Sequence, residues 1–186
     1  MPAKFDPKSK EALLSRDRLD PHRLISLIPI LPHHVVADVG CGPGYFTIPL
    51  AKYLFDGKVY ALDVQQEMLD ATQQALDAVH LTNVEVMRSK EKKLPLEKDS
   101  LDGALVSFVL QEASDPRALL KDIGRCLHKS AWLVILEWYK LEMEEGPPLD
   151  QRIDEAEMRS MTEKLGFRYS GKRDLNGKQY VMLLRK

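Results

Sequence analysis

Only two cysteines occur in the chain, Cys41 and Cys126, so there is no disulfide framework, and both thiols suit a reducing compartment. No apolar run reaches the length that crosses a bilayer. The opening residues, Met1-Pro2-Ala3-Lys4-Phe5-Asp6, lack the apolar core of a signal peptide. Together these absences give the expectation of a cytoplasmic protein without a membrane span. Basic and acidic residues nearly balance, 27 against 28, and no Lys/Arg-rich run marks a nucleic-acid footprint. The small cluster Lys90, Lys92 and Lys93 is interrupted by Glu91 and reads as a solvated loop. No grouping of His, Cys and Asp has metal-ligand spacing, so no metal is expected, and no internal repeat is present. The 186 residues fit a single domain, 1–186, with one adequate core.

What the chain does have is the segment Val35-Val36-Ala37-Asp38-Val39-Gly40-Cys41-Gly42-Pro43-Gly44-Tyr45-Phe46-Thr47. An apolar strand runs into a glycine-rich turn and then a helix. Glycine removes the Cβ that would block close approach of main chain to a ligand. The helix behind it offers unpaired N–H groups and a positive dipole end. The spacing selects the ligand. In the dinucleotide fingerprint G-x-G-x-x-G the third glycine permits close helix–strand packing. Gly40 and Gly42 fill the first two positions, but the third falls on Tyr45. Asp38, two residues before the first glycine, can reach a cationic amine and would repel a pyrophosphate.

The next strand ends at Asp63, some twenty residues beyond the glycines, where doubly wound folds place the acid that hydrogen-bonds ribose hydroxyls. An ionised carboxylate accepts two O–H bonds at once. The same aspartate can instead cap the following helix.

Hydrophobic periodicity sets the rest of the layout. Asp20-Pro21 opens a short helix to Leu27. Strands are predicted at Val35–Val39, Val59–Asp63, Val84–Arg88, Gly103–Leu110 and Trp132–Trp138. A helix follows from about Tyr45 to Tyr53, and another carries the stripe Met68, Leu69, Thr72, Leu76 and Val79. A third runs from Asp115-Pro116 to Leu127. Tyr139 to Arg152 is acidic, contains Gly146-Pro147-Pro148 and reads as a loop. Asp154-Glu155-Ala156-Glu157 starts a helix to Leu165, stopped by Gly166. Two last strands, Arg168–Leu175 and Gln179–Arg185, flank Asn176-Gly177, a hairpin signal. The expected fold is α/β: a doubly wound, mostly parallel seven-stranded sheet with one antiparallel strand near the C-terminus.

Asp38, Gly40, Gly42 and Gly44 match the acid-x-G-x-G-x-G motif of the class I S-adenosylmethionine-dependent methyltransferases position for position, and the chain resembles that family. Further matches are Asp63, Leu94-Pro95-Leu96 with Asp99-Ser100-Leu101-Asp102, Ser107-Phe108-Val109-Leu110-Gln111-Glu112, and Asp115-Pro116-Arg117-Ala118-Leu119-Leu120. They cover the chain from about Val35 to its end. The resemblance implies a Rossmann-like methyltransferase fold, S-adenosylmethionine as cofactor, and methyl transfer to a small-molecule acceptor. It also implies that residues 1–32 form a lid. The methionine end would be held by Asp38, by the main chain of Gly40, Cys41 and Gly42 with Gly44, and near Ser107. Asp63 and Val64 would take the ribose side. Met68 would pack on the adenine, or serve as an ordinary core methionine. Glu91 would contact the adenine amino group in shifted register, because the usual acid before Leu-Pro is absent. His128-Lys129-Ser130-Ala131 replaces the family's Lys-Pro-Gly-Gly surface turn, and no Asn/Asp-Pro-Pro-Tyr motif of amino-directed nucleic-acid methyltransferases follows the fourth strand.

Displacement on a sulfonium can be catalysed by positioning the reactants and excluding water. A base is needed only if the acceptor must lose a proton. Candidates are Glu112, Glu137, Tyr139 and His22, the second and third on one side of a strand end. Arg152 either pairs an acidic substrate or neutralises Glu142, Glu144 and Glu145. Two other functions remain open: a cofactor-binding module without catalysis that needs a partner, and a nicotinamide oxidoreductase, which fits Asp63 but not Tyr45. The acceptor, the atom methylated and the oligomeric state are not encoded legibly.

Overall fold

A cap and a proline coincide at the first described helix. In the computed structural model, which describes residues 19–186, Asp20 accepts the His22 N–H at 2.9 Å and Pro21 occupies the first turn of α1 (Pro21–Leu27). Of the expected lid, residues 1–18 lie outside the described residues, and α1 belongs to the remainder. The chain then alternates through β1 (Val35–Val39), α2 (Thr47–Tyr53), β2 (Lys58–Asp63), α3 (Gln66–Ala78), β3 (Val84–Arg88) and β4 (Leu101–Ser107). It continues through α4 (Pro116–Cys126), β5 (Leu127–Trp138), α5 (Glu155–Lys164), β6 (Arg168–Asp174) and β7 (Gln179–Arg185).

The strands form one seven-stranded sheet in the order β3-β2-β1-β4-β5-β7-β6. All neighbours from β3 to β5 are parallel, and β7 runs antiparallel to both β5 and β6. The sheet is therefore the doubly wound, mostly parallel one with a single reversed strand. Strand order reverses between β1 and β4, and open α/β sheets bind ligands in the crevice outside the carboxyl ends at such a point.

Alternation along the strands feeds two cores. Ala37, Ala104, Leu133 and Met182 face Leu119 and Ile123 of α4 and Met158 and Met161 of α5. Val36, Leu105, Val134 and Val181 face Leu24 and Ile25 of α1 and Leu50 and Leu54 of α2. Leu69 of α3 packs on Ala61 and Cys41. Side chains join the layers at their ends. The Asn83 amide donates to Ala51 O at 2.9 Å and Leu54 O at 2.8 Å, satisfying carbonyls at the end of α2.

Several boundaries differ from the sequence expectation. β4 stops at Ser107 rather than Leu110, because Phe108 adopts φ +59° and leaves the sheet. β5 begins at Leu127 rather than Trp132; a register shift between Leu101 and Gly103 of β4, with Ser130 at φ +70°, accommodates the extra residues His128–Ala131. Val79 is not part of the buried stripe of α3: it sits beyond the last helical residue and is exposed, whereas Met68, Leu69, Thr72 and Leu76 are buried. α2 starts at Thr47, not Tyr45. At the hairpin Gly177 takes φ +77° and Asn176 Oδ1 accepts from Lys178 N and Gln179 N, so side-chain bonds shape the turn. No described helix is long and apolar enough to cross a membrane.

Candidate active site

The glycine turn lies at the crevice between β1 and β4. Gly40, Gly42 and Gly44 all have left-handed φ, +72°, +53° and +90°. Gly40 N and Cys41 N both donate to Leu62 O, at 2.7 and 2.9 Å, which fastens the turn to the end of β2. Gly42 O accepts the buried Thr72 hydroxyl of α3 at 2.7 Å. A Cβ on Gly40 would lie 2.1 Å from Val109 Cγ2, so the segment after β4 seats against the turn only because residue 40 has no side chain. A shaped main-chain surface results.

Asp38 is buried at the end of β1 and accepts the Thr47 hydroxyl at 2.7 Å, linking the strand to the first residue of α2. Asp63 is buried as well; its two oxygens accept Gly42 N and Gln65 N, each at 3.0 Å. Gln65, not Asp63, is the N-cap residue of α3. An ionised carboxylate has about four lone-pair directions, so two main-chain donors leave acceptor capacity for a diol. Val64 is exposed beside it, and Met68 is buried on α3. Glu91 is only partly exposed, and its Oε1 accepts Ser114 N at 3.2 Å, a bond that holds its carboxyl below the usual range. Its observed contact is therefore with the loop before α4.

Ser107 ends β4 with 5 % of its surface exposed, and its Oγ has no hydrogen-bond partner among the described residues. A buried hydroxyl without a partner is costly in a folded protein. Beside a turn that offers main chain at close range, it fits a polar ligand group. Phe108 follows in the left-handed region, its N–H donated to Leu136 O at 2.9 Å. Its ring lies 5.9 Å from Trp138. Trp138 packs in the core and is wrapped from outside by the loop after β5, where a Cβ on Gly146 would lie 2.9 Å from the indole.

The four candidate bases separate in space. Glu112 is exposed in the loop after β4, and His22 is exposed on α1. Glu137 near the end of β5 and Tyr139 just beyond it both pack against one core cluster, Glu137 buried and Tyr139 partly so. Glu137 retains 1 % exposure and its Oε1 accepts Leu110 N at 3.0 Å. Tyr139 packs 5.2 Å from the ring of buried Tyr180, and burial raises the Tyr139 phenol above its ordinary value. Neither reading of Arg152 matches the structure. The residue is 3 % exposed, and its guanidinium donates to main-chain carbonyls of Pro147, Tyr139, Leu141 and Glu145 at 2.8, 3.3, 2.7 and 2.6 Å. It pairs no carboxylate in these bonds; it holds the loop in shape. Beside it lies a cavity of about 390 Å³ bordered by Leu141, Glu142, Met143, Pro147 and Leu149.

Sequence reasoning missed the part played by four residues. Val109 reads as one more strand residue, and only the folded chain brings it onto Gly40. Tyr45, the residue that breaks the dinucleotide spacing, donates its hydroxyl to Leu19 O and so ties the glycine turn to the segment before α1. Thr47 and Thr72 brace the turn through hydroxyls; a small polar residue at a helix start just after the glycines is the signal that marks Thr47. No cluster of three or more potential metal ligands exists among the described residues.

Comparison with known proteins gives a consistent result. A family model described as a methyltransferase domain matches residues 37–135. The chain is similar to a demethylmenaquinone methyltransferase of Bacillus mycoides, with 28 % identity over 135 residues, 72 % of this chain and 57 % of the relative. It thus spans a little over half the length of that relative. A solved S-adenosylmethionine-dependent methyltransferase from Aquifex aeolicus is similar throughout, with TM-score 0.90, 31 % identity, and coverage of 98 % of this chain and 99 % of that one. The [4+2]-cyclase SpnF shares the fold at TM-score 0.78 and 17 % identity, covering 89 % of this chain and 80 % of its own.

Proposed function

The chain belongs to the class I S-adenosylmethionine-dependent methyltransferase family, whose cofactor is S-adenosylmethionine, and from that premise we propose that it methylates a small-molecule acceptor. The observation that carries the reading is the left-handed glycine turn with Asp63 bound to Gly42 N on one side and the unpartnered Ser107 hydroxyl on the other. When bound, the cofactor supplies an activated methyl group on a sulfonium. The chain's own residues do the rest. Asp38, the main chain from Gly40 to Gly42, Gly44 and Ser107 hold the methionine end; Asp63 with Val64 holds the ribose, and Met68 lines the adenine. Tyr45 stands where a third glycine would admit a dinucleotide. Glu91, engaged with Ser114, borders the adenine side from the loop.

Catalysis by positioning agrees with these surroundings: Glu137 is buried, and burial raises the Tyr139 phenol above its ordinary value. Of the candidate bases, Glu112 and His22 are the exposed ones. The cavity beside the Arg152 loop is the proposed acceptor side, with residues 1–32 as a lid in a single domain, 1–186. Relatives named as demethylmenaquinone methyltransferases make a quinone precursor the first acceptor to try. The thiols Cys41 and Cys126, both buried, suit the cytoplasm. The test is isothermal titration calorimetry with S-adenosylmethionine, S-adenosylhomocysteine and NAD in parallel. Micromolar binding of the first two without NAD is expected; binding of NAD alone, or of none, overturns the reading.

A further inference from the structure

Two bonds from β5 flank Val109. Phe108 N donates to Leu136 O at 2.9 Å, and Leu110 N donates to Glu137 Oε1 at 3.0 Å. Between them Val109 projects onto Gly40, closely enough that a Cβ there would overlap its methyl. The first bond uses a main-chain carbonyl that any residue supplies. The second needs an acceptor side chain at residue 137, and the one present is a carboxylate in a nearly solvent-free interior. A buried carboxyl costs free energy unless its oxygens are hydrogen-bonded, and one of them accepts Leu110 N. Its place is better explained by what it holds. The held segment is unusual: Phe108 is a bulky aromatic with φ +59°, a conformation that non-glycine residues avoid and that gathers at functional sites.

We propose that Glu137 is a positioning residue for cofactor binding, whose buried carboxylate clamps the Phe108–Leu110 turn so that Val109 presses on the glycine turn and Ser107 is presented at its edge. Glu137 then acts through Leu110 and Val109 and touches neither methyl donor nor acceptor. The inference rests on reading the glycine turn as the S-adenosylmethionine site. It differs from a base at residue 137, which would require the carboxylate to meet the acceptor.

The experiment compares S-adenosylhomocysteine affinity by calorimetry, together with thermal unfolding, for the wild-type chain, Glu137→Gln, Glu137→Leu and Val109→Ala. Gln keeps an acceptor oxygen for Leu110 N, so Glu137→Gln is expected to bind within about threefold of wild type. Glu137→Leu is expected to bind at least about tenfold more weakly, the effect of losing one hydrogen bond to Leu110 N, with thermal unfolding confirming that the variant is folded. Wild-type affinity in Glu137→Leu, or equal losses in the Gln and Leu variants, overturns the clamp. If Glu137→Leu does not fold, Val109→Ala decides: it leaves Glu137 in place and is expected to weaken binding several-fold, and unchanged affinity there overturns the inference. A wild-type chain that binds no S-adenosylhomocysteine refutes the parent reading instead, which keeps the two failures distinct.

Discussion

The two ends of the same parallel strands are built on different terms. At the amino ends of β1, β4 and β5, polar groups close on one another. Asp102 accepts Val35 N at 2.7 Å and pairs with His128 Nε2 at 2.8 Å, while His34 Nδ1 accepts Leu31 N at 3.2 Å and the Trp132 indole N–H at 3.4 Å. The left-handed residues there, Asp99 and Ser130, are short and polar, the kind that tolerate that conformation. At the carboxyl ends the left-handed non-glycine residue is Phe108, and the Ser107 hydroxyl lacks a protein partner. One rim is satisfied by the protein itself; at the other a buried hydroxyl is left without a protein partner, as the proposed cofactor site requires. Unfavourable local choices mark the functional end more clearly than any concavity does.

The sharpest way to break this contrast is Gly40→Ala. A left-handed alanine costs about 1–2 kcal/mol, and overlap with Val109 adds about 1–3 kcal/mol. The expected result is a loss near 3 kcal/mol by chemical denaturation, with no measurable S-adenosylhomocysteine binding. Adding Val109→Ala is expected to restore the overlap part only, a non-additivity that residues in contact show; strictly additive effects would refute the contact. Asp63→Ala comes next. Losing the carboxylate is expected to weaken cofactor binding by about 1.5–3 kcal/mol, and a folded variant with unchanged affinity would remove Asp63 from the site.

The smallest effect belongs to the opposite rim. Hydrogen bonding to Asp102 raises the His128 pKa above its ordinary 6.5, whereas Asp102 is held below 3.8 by its Val35 and His128 bonds, which outweigh its burial. A raised histidine pKa contributes stability that is full below the unfolded value and vanishes as pH rises through the folded one. His128→Gln is therefore expected to lose about 0.5 kcal/mol, as for a solvent-screened pair, at pH 5.5 and almost nothing at pH 9. Cofactor affinity should not change at either pH. His34 runs the other way, because burial lowers its pKa; since His128 and Asp102 both act on it, the difference reports the His34–Asp102–His128 group together. An equal loss at both pH values would show a neutral hydrogen bond instead of an ion pair.

Where local chemistry decides, the sequence was readable. α1, β1, β3 and β7 begin and end where cap, proline and turn residues put them. Where a distant contact decides, it was not. Phe108-Val109-Leu110 continues the apolar run of β4, yet their apolar character serves packing outside the sheet, so periodicity overran the strand end. Glycine spacing and Asp63 located the turn because that motif is contiguous apart from one acid. Glu137 was named as a candidate base, but its bond to Leu110 and the contact of Val109 with Gly40 stayed hidden because those partners are identified by the fold alone. Arg152 misled for a different reason: the sequence displays charged side chains, whereas its acceptors are main-chain oxygens that no residue type announces.

That last feature bears on how the loop can change over evolutionary time. A guanidinium inside the loop Tyr139–Arg152 grips carbonyls, and every amino acid has one. The outline of the loop is thus written at Arg152 and Gly146, while the side chains of Leu141, Glu142, Glu144 and Leu149 take no part in those bonds. Residues on the rim can be exchanged without redrawing it. With the cavity beside this loop as the proposed acceptor side, shape and selectivity would be inherited separately, and one scaffold could be retuned by substitutions that leave its architecture alone.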